Sequence, residues 1–270
     1  MSNGHRGQNL AEYFWLYEVQ GQMLAFAELP PARRASFALT VHPEYRGGDF
    51  ERGLLEHCQN LMFKRMQSES VNKPLTVSVS LSDLHSIHCL SQLGFKVDKR
   101  DTFLAKRNLS EFIPEPLLPP GFSIRSSADH EAAGLAEVHK SAFDSTWTPE
   151  DYLKVMQTPG FDINREVVVV APDGRFAAFT VYWLDPVTRS GHFEPVGCHK
   201  DFQRKGLTKA LMYAVMKRMK AAGMNTALVG FDPDNEAAVR LYASVGFKKQ
   251  CEFMNYSKML LAPQGKDNQQ

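Results

Sequence analysis

Apolar and polar positions run along this chain in two rhythms, a strand rhythm of two and a helix rhythm of 3.6. In the second half, Phe122 to Arg125 reads as a first strand. Ala128 to Ser141 and Pro149 to Gln157 read as helices. Glu166 to Val170 and Phe176 to Leu184 read as strands around the turn Pro172-Asp173-Gly174. A further strand, Gly191 to His199, leads into a long amphipathic helix. A strand over Asn225 to Phe231, a helix closing on Val245-Gly246, and a strand opening at Phe247 complete the set. The order is β-α-α-β-β-β-α-β-α-β, which predicts a mixed sheet with helices on both faces. The first half is shorter. Ala11 to Leu29 reads as a strand pair around Gly21. A helix follows with Phe50, Leu54, Cys58, Leu61 and Met62 on one stripe, then a strand over Pro74 to Ser80, then a helix ending at Leu93-Gly94-Phe95. Between the halves, Phe112 to Gly121 holds four prolines and can be neither helix nor central strand, so it reads as a stiff linker.

Chemistry enters at Gln203-Arg204-Lys205-Gly206-Leu207-Thr208, where a strand passes through a glycine turn into a helix. The first N–H groups of a helix lack intrahelical partners, and the helix dipole adds positive potential there. Arg204 and Lys205 add formal charge, and Gly206 lets an oxygen approach the backbone. These features make a cradle for a phosphate or pyrophosphate. The spacing is neither that of a dinucleotide fold nor that of a P-loop. It resembles the Gln/Arg-x-x-Gly-x-Gly/Ala signature of the GNAT N-acetyltransferase superfamily, with Thr208 departing at the last position. About thirty residues on, Asn235 to Phe247 resembles the same superfamily's Asn-x-x-Ala-x-x-Leu-Tyr-x-x-x-Gly-Phe. Physically, Asn235 is a helix N-cap, Ala238, Leu241 and Val245 share one face, and Gly246 ends the helix.

The chain also resembles itself. Val41 to Glu51 aligns with Cys198 to Thr208, and Leu90 to Phe95 aligns with Tyr242 to Phe247. This resembles a tandem GNAT protein with a degenerate first copy. Asp49 stands where Gly206 stands, and a carboxylate there is expected to repel a pyrophosphate. Leu90 stands where Tyr242 stands, which removes the phenol. The resemblance implies an α/β (α+β) fold of two GNAT-like domains, each a mixed central sheet flanked by helices, the first truncated. The expected divisions are 1–110 for the degenerate domain, 111–121 for the linker, 122–262 for the catalytic domain and 263–270 for a flexible tail.

Composition alters this picture little. The chain has 270 residues, a net charge of +1 and 43% hydrophobic content, so it is globular, without a broad electrostatic case for nucleic acid or an anionic membrane. No apolar run is long enough to span a bilayer, and the N-terminus lacks a signal-peptide core. Cys58, Cys89, Cys198 and Cys251 are scattered, which fits reduced thiols in a cytoplasmic protein, and no metal-ligand spacing is evident.

The resemblance implies acetyl-CoA as co-substrate, held between the fourth and fifth strands of the second domain. Its pantetheine would lie along Val196, Gly197 and Cys198, its pyrophosphate on the cradle from Gln203 through Arg204, Lys205, Gly206 and Leu207 to Thr208, with Asn235 nearby. Tyr242 takes the place of the acid that protonates the leaving thiolate. Glu194, alternating with Val196 and Cys198 and so expected on their face, is the first candidate base for the attacking amine, with binding of a cationic acceptor or a plain strand-end role as alternatives, and His199 is the second candidate, with a loop or capping role as its alternative. Phe143, Trp147, Tyr152 and Trp183 are candidates for the acceptor pocket, with core packing as the alternative for each. The implied function is acetyl transfer to a primary amine of a small molecule or peptide, by a monomer or homodimer. The alternatives are a thiol-biosynthesis acyltransferase resembling mycothiol synthase and a non-catalytic acyl-CoA sensor.

Overall fold

Strands form where the alternation is strongest, and turns where glycine permits a left-handed backbone. The computed structural model describes residues 12–259. The expected tail and Ala11, the first residue of the expected strand pair, lie outside that range. The described residues pack as two compact units, one holding residues 12–102 together with 251–259, the other holding Phe103–Gln250.

The first unit opens with β1 (Phe14–Val19), β2 (Gln22–Glu28) and β3 (Ala38–Val41), an antiparallel sheet in that order. Gln20 and Gly21 both take positive φ in the first hairpin, the conformation that a two-residue turn matched to strand twist requires. Then come α1 (Asp49–Ser68), β4 (Leu75–Ser80), α2 (Leu84–Gln92) and β5 (Lys96–Asn108). Leu55, Cys58, Met62 and Met66 of α1 pack with Leu75, Val77 and Val79 of β4 and with Leu90 and Phe95. The buried stripe of α1 is therefore turned from the expected one. Phe50 is exposed and Leu61 only partly buried, while Leu55 and Met66 take the core positions.

The second unit comprises β6 (Ser123–Ser126), α3 (Ala132–Phe143), α4 (Pro149–Met156), β7 (Glu166–Val170), β8 (Phe176–Asp185), β9 (Ser190–Cys198), α5 (Leu207–Ala221), β10 (Thr226–Phe231) and α6 (Glu236–Ser244). Residues 103–108 of β5 pair with β10, and the order continues β10-β9-β8-β7-β6. Every pairing in this run is antiparallel except β9 with β10. On one face α5 buries Leu211, Met212, Val215, Met216 and Met219 against Val167, Val169, Ala177 and Phe193. On the other, α3 and α4 bury Leu135, Val138 and Tyr152 against Val168 and Phe179. Each such side chain contributes roughly 1.5–3 kcal/mol, so both faces are firmly covered.

The packing does not follow the linear division expected from the linker. No strand or helix occupies residues 109–122. However, β5 starts in the first unit and ends in the second, and the last strand, β11 (Lys248–Lys258), does the reverse. Phe253–Lys258 pairs antiparallel with Ser80–Leu75 of β4. Tyr256 of β11 joins the first unit's core, and the Lys258 ammonium donates to the carbonyl of Leu93, 2.6 Å away.

Candidate active site in the second unit

The site is created by a strand that changes phase. Before Glu194, β9 turns Phe193 towards α5, and a Cβ on Gly191 would meet Met219 of that helix. Between Phe193, which pairs with Tyr182, and Val196, which pairs with Thr180, β9 holds two residues where β8 holds one. The extra residue is a β-bulge, which reverses the facing of everything beyond it. Val196 and Cys198 therefore pack on the α5 side, while a Cβ on Gly197 would strike Phe179 at 2.4 Å and Ala142 at 2.9 Å on the α3 side. Glu194 thus lies on the face opposite Val196 and Cys198, contrary to simple alternation. Its peptide bond to Pro195 is cis. Two side chains from β8 satisfy the carbonyls of the bulge. The Thr180 hydroxyl donates to Pro195 O at 2.8 Å, and the Trp183 indole N–H donates to Glu194 O at 3.2 Å.

The bulge coincides with an opening in the sheet. Pairing of β9 with β10 ends at Phe193 opposite Val229. Beyond it β9 stays paired with β8 as far as Cys198, while Gly230 and Phe231 of β10 stay paired with β5. The backbone of Val196, Gly197 and Cys198 is thus unpaired on its β10 side, which leaves a strand edge facing the gap.

At the end of β9 lies the cradle. His199 accepts from the Asp201 N–H at 3.2 Å and so caps a short 3-10 turn over Lys200–Phe202. Arg204 and Gly206 take φ of +63° and +76°. The first helical bond of α5 runs from Ala210 N–H to Gly206 O at 3.0 Å, so the N–H groups of Leu207, Thr208 and Lys209 have no partner in the helix. A Cβ on Gly206 would meet nothing within 4 Å, so the space above the cradle is open. The Lys205 ammonium sits 5.2 Å from the Phe202 ring centre. Burial pushes up the Cys198 thiol, and the Thr208 hydroxyl and the Lys205 charge oppose that rise.

Across the gap, α6 is capped by Asn235, whose Oδ1 accepts from Ala238 N–H at 3.1 Å. Tyr242 is buried, with its ring 4.9 Å from that of Phe231 at the diverging end of β10 and 6.1 Å from that of Phe247. Burial pushes its phenol up to about 12. Buried Arg107 of β5 donates to the carbonyls of Val245 and Phe112 and fixes the end of α6.

On the face that carries Glu194, three of the four expected pocket aromatics come together around a residue that periodicity did not single out, His139 of α3. Its ring lies 4.9 Å from Phe143, 4.7 Å from Trp147 and 6.2 Å from Tyr152. Its Nδ1 is 2.8 Å from Ser145 Oγ. Tyr152 is core, whereas Phe143 is 45% exposed. Trp183 serves the bulge, as described. Glu166, at the start of β7, was also missed. It is fully buried, neither carboxylate oxygen has a partner among the described residues, and burial raises it to about 8. The spacing of His139 and Phe143, four apart on one helix, is the only sequence signal for this cluster.

Residues 132–247 match the family model described as Acetyltransferase (GNAT) family. That match lies wholly within the second unit and takes in the bulged strand, the cradle and Tyr242. A mycothiol acetyltransferase of Streptomyces coelicolor is 27% identical over 239 residues, covering 84% of this chain and 73% of the relative. One from Salinispora arenicola is 26% identical over 261 residues, covering 92% and 82%. Among solved structures, a GCN5-related N-acetyltransferase from Sphaerobacter thermophilus superposes with a TM-score of 0.71 at 21% identity, covering 93% of this chain and 82% of that one. A tandem GNAT protein from the clavulanic acid biosynthesis pathway gives 0.67 at 16% identity, covering 91% and 82%. Both structural likenesses extend over more than the segment matched by the GNAT family model.

The first unit repeats the local devices of this matched segment. His42 caps a 3-10 turn over Pro43–Tyr45 as His199 does its own, and Asp83 caps α2 as Asn235 caps α6. Its loop nonetheless differs from expectation. Asp49 points to solvent and pairs with Arg52 at 2.8 Å, so it does not occupy the cradle. The residue that does is Glu51, aligned with Thr208.

Proposed function

We propose that the second unit moves an acetyl group from acetyl-CoA to a primary amine of a small molecule or peptide by direct attack. The observation that carries this reading is the parting of β9 from β10 beyond Phe193, with an open helix N-terminus at one end of the gap and Tyr242 beside it. Acetyl-CoA supplies an acyl carbon already activated as a thioester. The N–H groups at the start of α5, with Arg204 and Lys205, hold the pyrophosphate. Val196, Gly197 and Cys198 offer an extended edge to the pantetheine amides.

Glu194 takes the proton of the acceptor ammonium, directly or through water. Its place on the α3 face, opposite Val196 and Cys198, suits this role, because acceptor and thioester then approach the strand from different sides. Tyr242 donates to the departing sulfur. A phenol raised to about 12 stays protonated throughout the neutral range. The dry surroundings that raise the phenol also raise the proton affinity of a thiolate formed beside it, so the transfer is not far uphill. Phe143, Trp147 and His139 line the acceptor's approach.

A thiol-biosynthesis acyltransferase is the second reading, favoured by relatives named mycothiol acetyltransferase that span most of the chain. It narrows the acceptor within the same chemistry. The test is release of the CoA thiol across a panel of amines, with Tyr242→Phe alongside. The variant should lose about 100-fold in kcat while the KM for acetyl-CoA changes by less than about threefold. An unchanged kcat would remove Tyr242 from the mechanism. Stoichiometric binding of acetyl-CoA without product from any amine would point to a sensor.

A further inference from the structure

The first unit's counterpart of the cradle already contains an anion. Glu51 is 2% exposed although it is charged and lies in the first turn of α1. Its Oε2 accepts from the Gly47 N–H at 2.7 Å, and its Oε1 accepts from the Ser86 hydroxyl at 2.7 Å. The Arg46 guanidinium lies 3.7 Å from Oε1, donates to Ser86 Oγ at 3.1 Å and is itself paired with Asp83. Gly47 takes φ of +81°, the left-handed conformation that Arg204 adopts at the aligned position of the second unit. A backbone N–H from a left-handed residue, a hydroxyl and a guanidinium are the donors that a phosphate oxygen meets at such a helix start. A capping box would have engaged the N-cap residue, Gly48. Here the bond goes one residue further out, to Gly47, and the second oxygen reaches another helix. A Cβ on Gly47 would meet the His85 ring at 2.4 Å, whereas one on Gly206 meets only open space.

We propose that the first unit holds a phosphate-type anion site permanently ligated by its own Glu51 carboxylate, so that this unit takes no phosphoanhydride ligand. The attraction that would draw a pyrophosphate is satisfied internally, and a second anion would have to displace a buried, hydrogen-bonded carboxylate. Glu51, not Asp49, is what closes the first copy. That this counterpart would otherwise accept the same ligand as the second unit rests on the proposed function. The presence of a filled anion site does not.

The test titrates inorganic pyrophosphate into the full chain carrying Gly206→Asp, which closes the second cradle, with and without changes at Glu51. Glu51→Ala empties the site, Glu51→Thr copies the second unit's Thr208, and Glu51→Gln keeps the shape without the charge. Affinity is expected to rise at least about tenfold with Ala or Thr, equivalent to about 1.4 kcal/mol, and to stay near that of the Glu51 parent with Gln. Pyrophosphate bound as tightly with Glu51 in place would overturn the proposal, as would folded Ala and Thr variants that gain nothing. The native chain provides a check that needs no variant, because two equivalents of CoA bound per wild-type chain would equally refute it. Failure of the wild-type chain to bind any CoA would count against acetyl transfer alone, since the pyrophosphate series reads the first unit by itself.

Discussion

Replacing Glu166 by glutamine should stabilise the second unit at alkaline pH and leave it nearly unchanged in mild acid. Glu166 is fully buried at the start of β7, and its two oxygens have no partner among the described residues. Burial disfavours the charged form and moves the carboxyl from 4.5 to about 8. Below about 4.5 both folded and unfolded chains hold the proton, and the full stability is present. Between 4.5 and 8 the unfolded chain releases it and the folded chain does not, so stability falls as pH rises through that window. Above 8 both states are ionised and the loss is complete. At about 1.4 kcal/mol per pH unit, the interval amounts to about 5 kcal/mol as a ceiling. Structural relaxation and water entry reduce this to a few kcal/mol. Glutamine cannot ionise, so the variant's advantage should grow from near zero at pH 5 to its maximum near pH 8.5. Burial, and secondly the Glu166 charge, push up the Tyr152 phenol, which places the effect where α4 packs on the sheet. Urea unfolding followed by tryptophan fluorescence suits the assay, since Trp147 and Trp183 lie in this unit. A difference between variant and wild type that stays constant from pH 5 to 8.5 would refute the reasoning.

Two further predictions concern the site. Glu194→Gln should lower kcat by about 100-fold or more and flatten the acid limb of the pH–rate profile, read with a saturating amine. A retained acid limb would assign the base elsewhere. Gly197→Ala puts a methyl group 2.4 Å from Phe179 and 2.9 Å from Ala142. It should cost about 1–3 kcal/mol of stability by overpacking and narrow the acceptor side, seen as a lower Tm together with a higher amine KM.

Much of the second unit was legible because its signals are local. An asparagine N-cap, a glycine at the helix end and apolar spacing define α6, and each acts within a few residues. The facing of Glu194 was not legible by alternation, because one extra residue in a strand inverts every position after it. Pro195 was the visible warning, since a residue without an N–H suits a bulge better than a regular strand. In the first unit, Asp49 drew notice by aligning with Gly206, yet a residue at the very start of a helix is free to turn outward to Arg52. Glu51, two residues further into the same turn, is buried instead. Glu166 was hidden because it opens a run of four valines, which reads as a strand whatever surrounds its first residue. The exchange of β5 and β11 depends on pairings between distant segments, which no window of sequence contains.

That exchange bears on how the chain is made. Leu75 of β4 pairs with Lys258 of β11, and Tyr256 completes the core around α1 and α2. A ribosome releases β4 long before β11 exists. During the intervening synthesis the first unit has an unfilled place beside β4 and an incomplete core, and every residue of the second unit emerges in that interval. Although first to be translated, the N-terminal unit is the last to close. A stop codon anywhere before β11 would therefore damage the part of the protein farthest from it in sequence, and exposed β4 edges on nascent chains are the place where aggregation would begin.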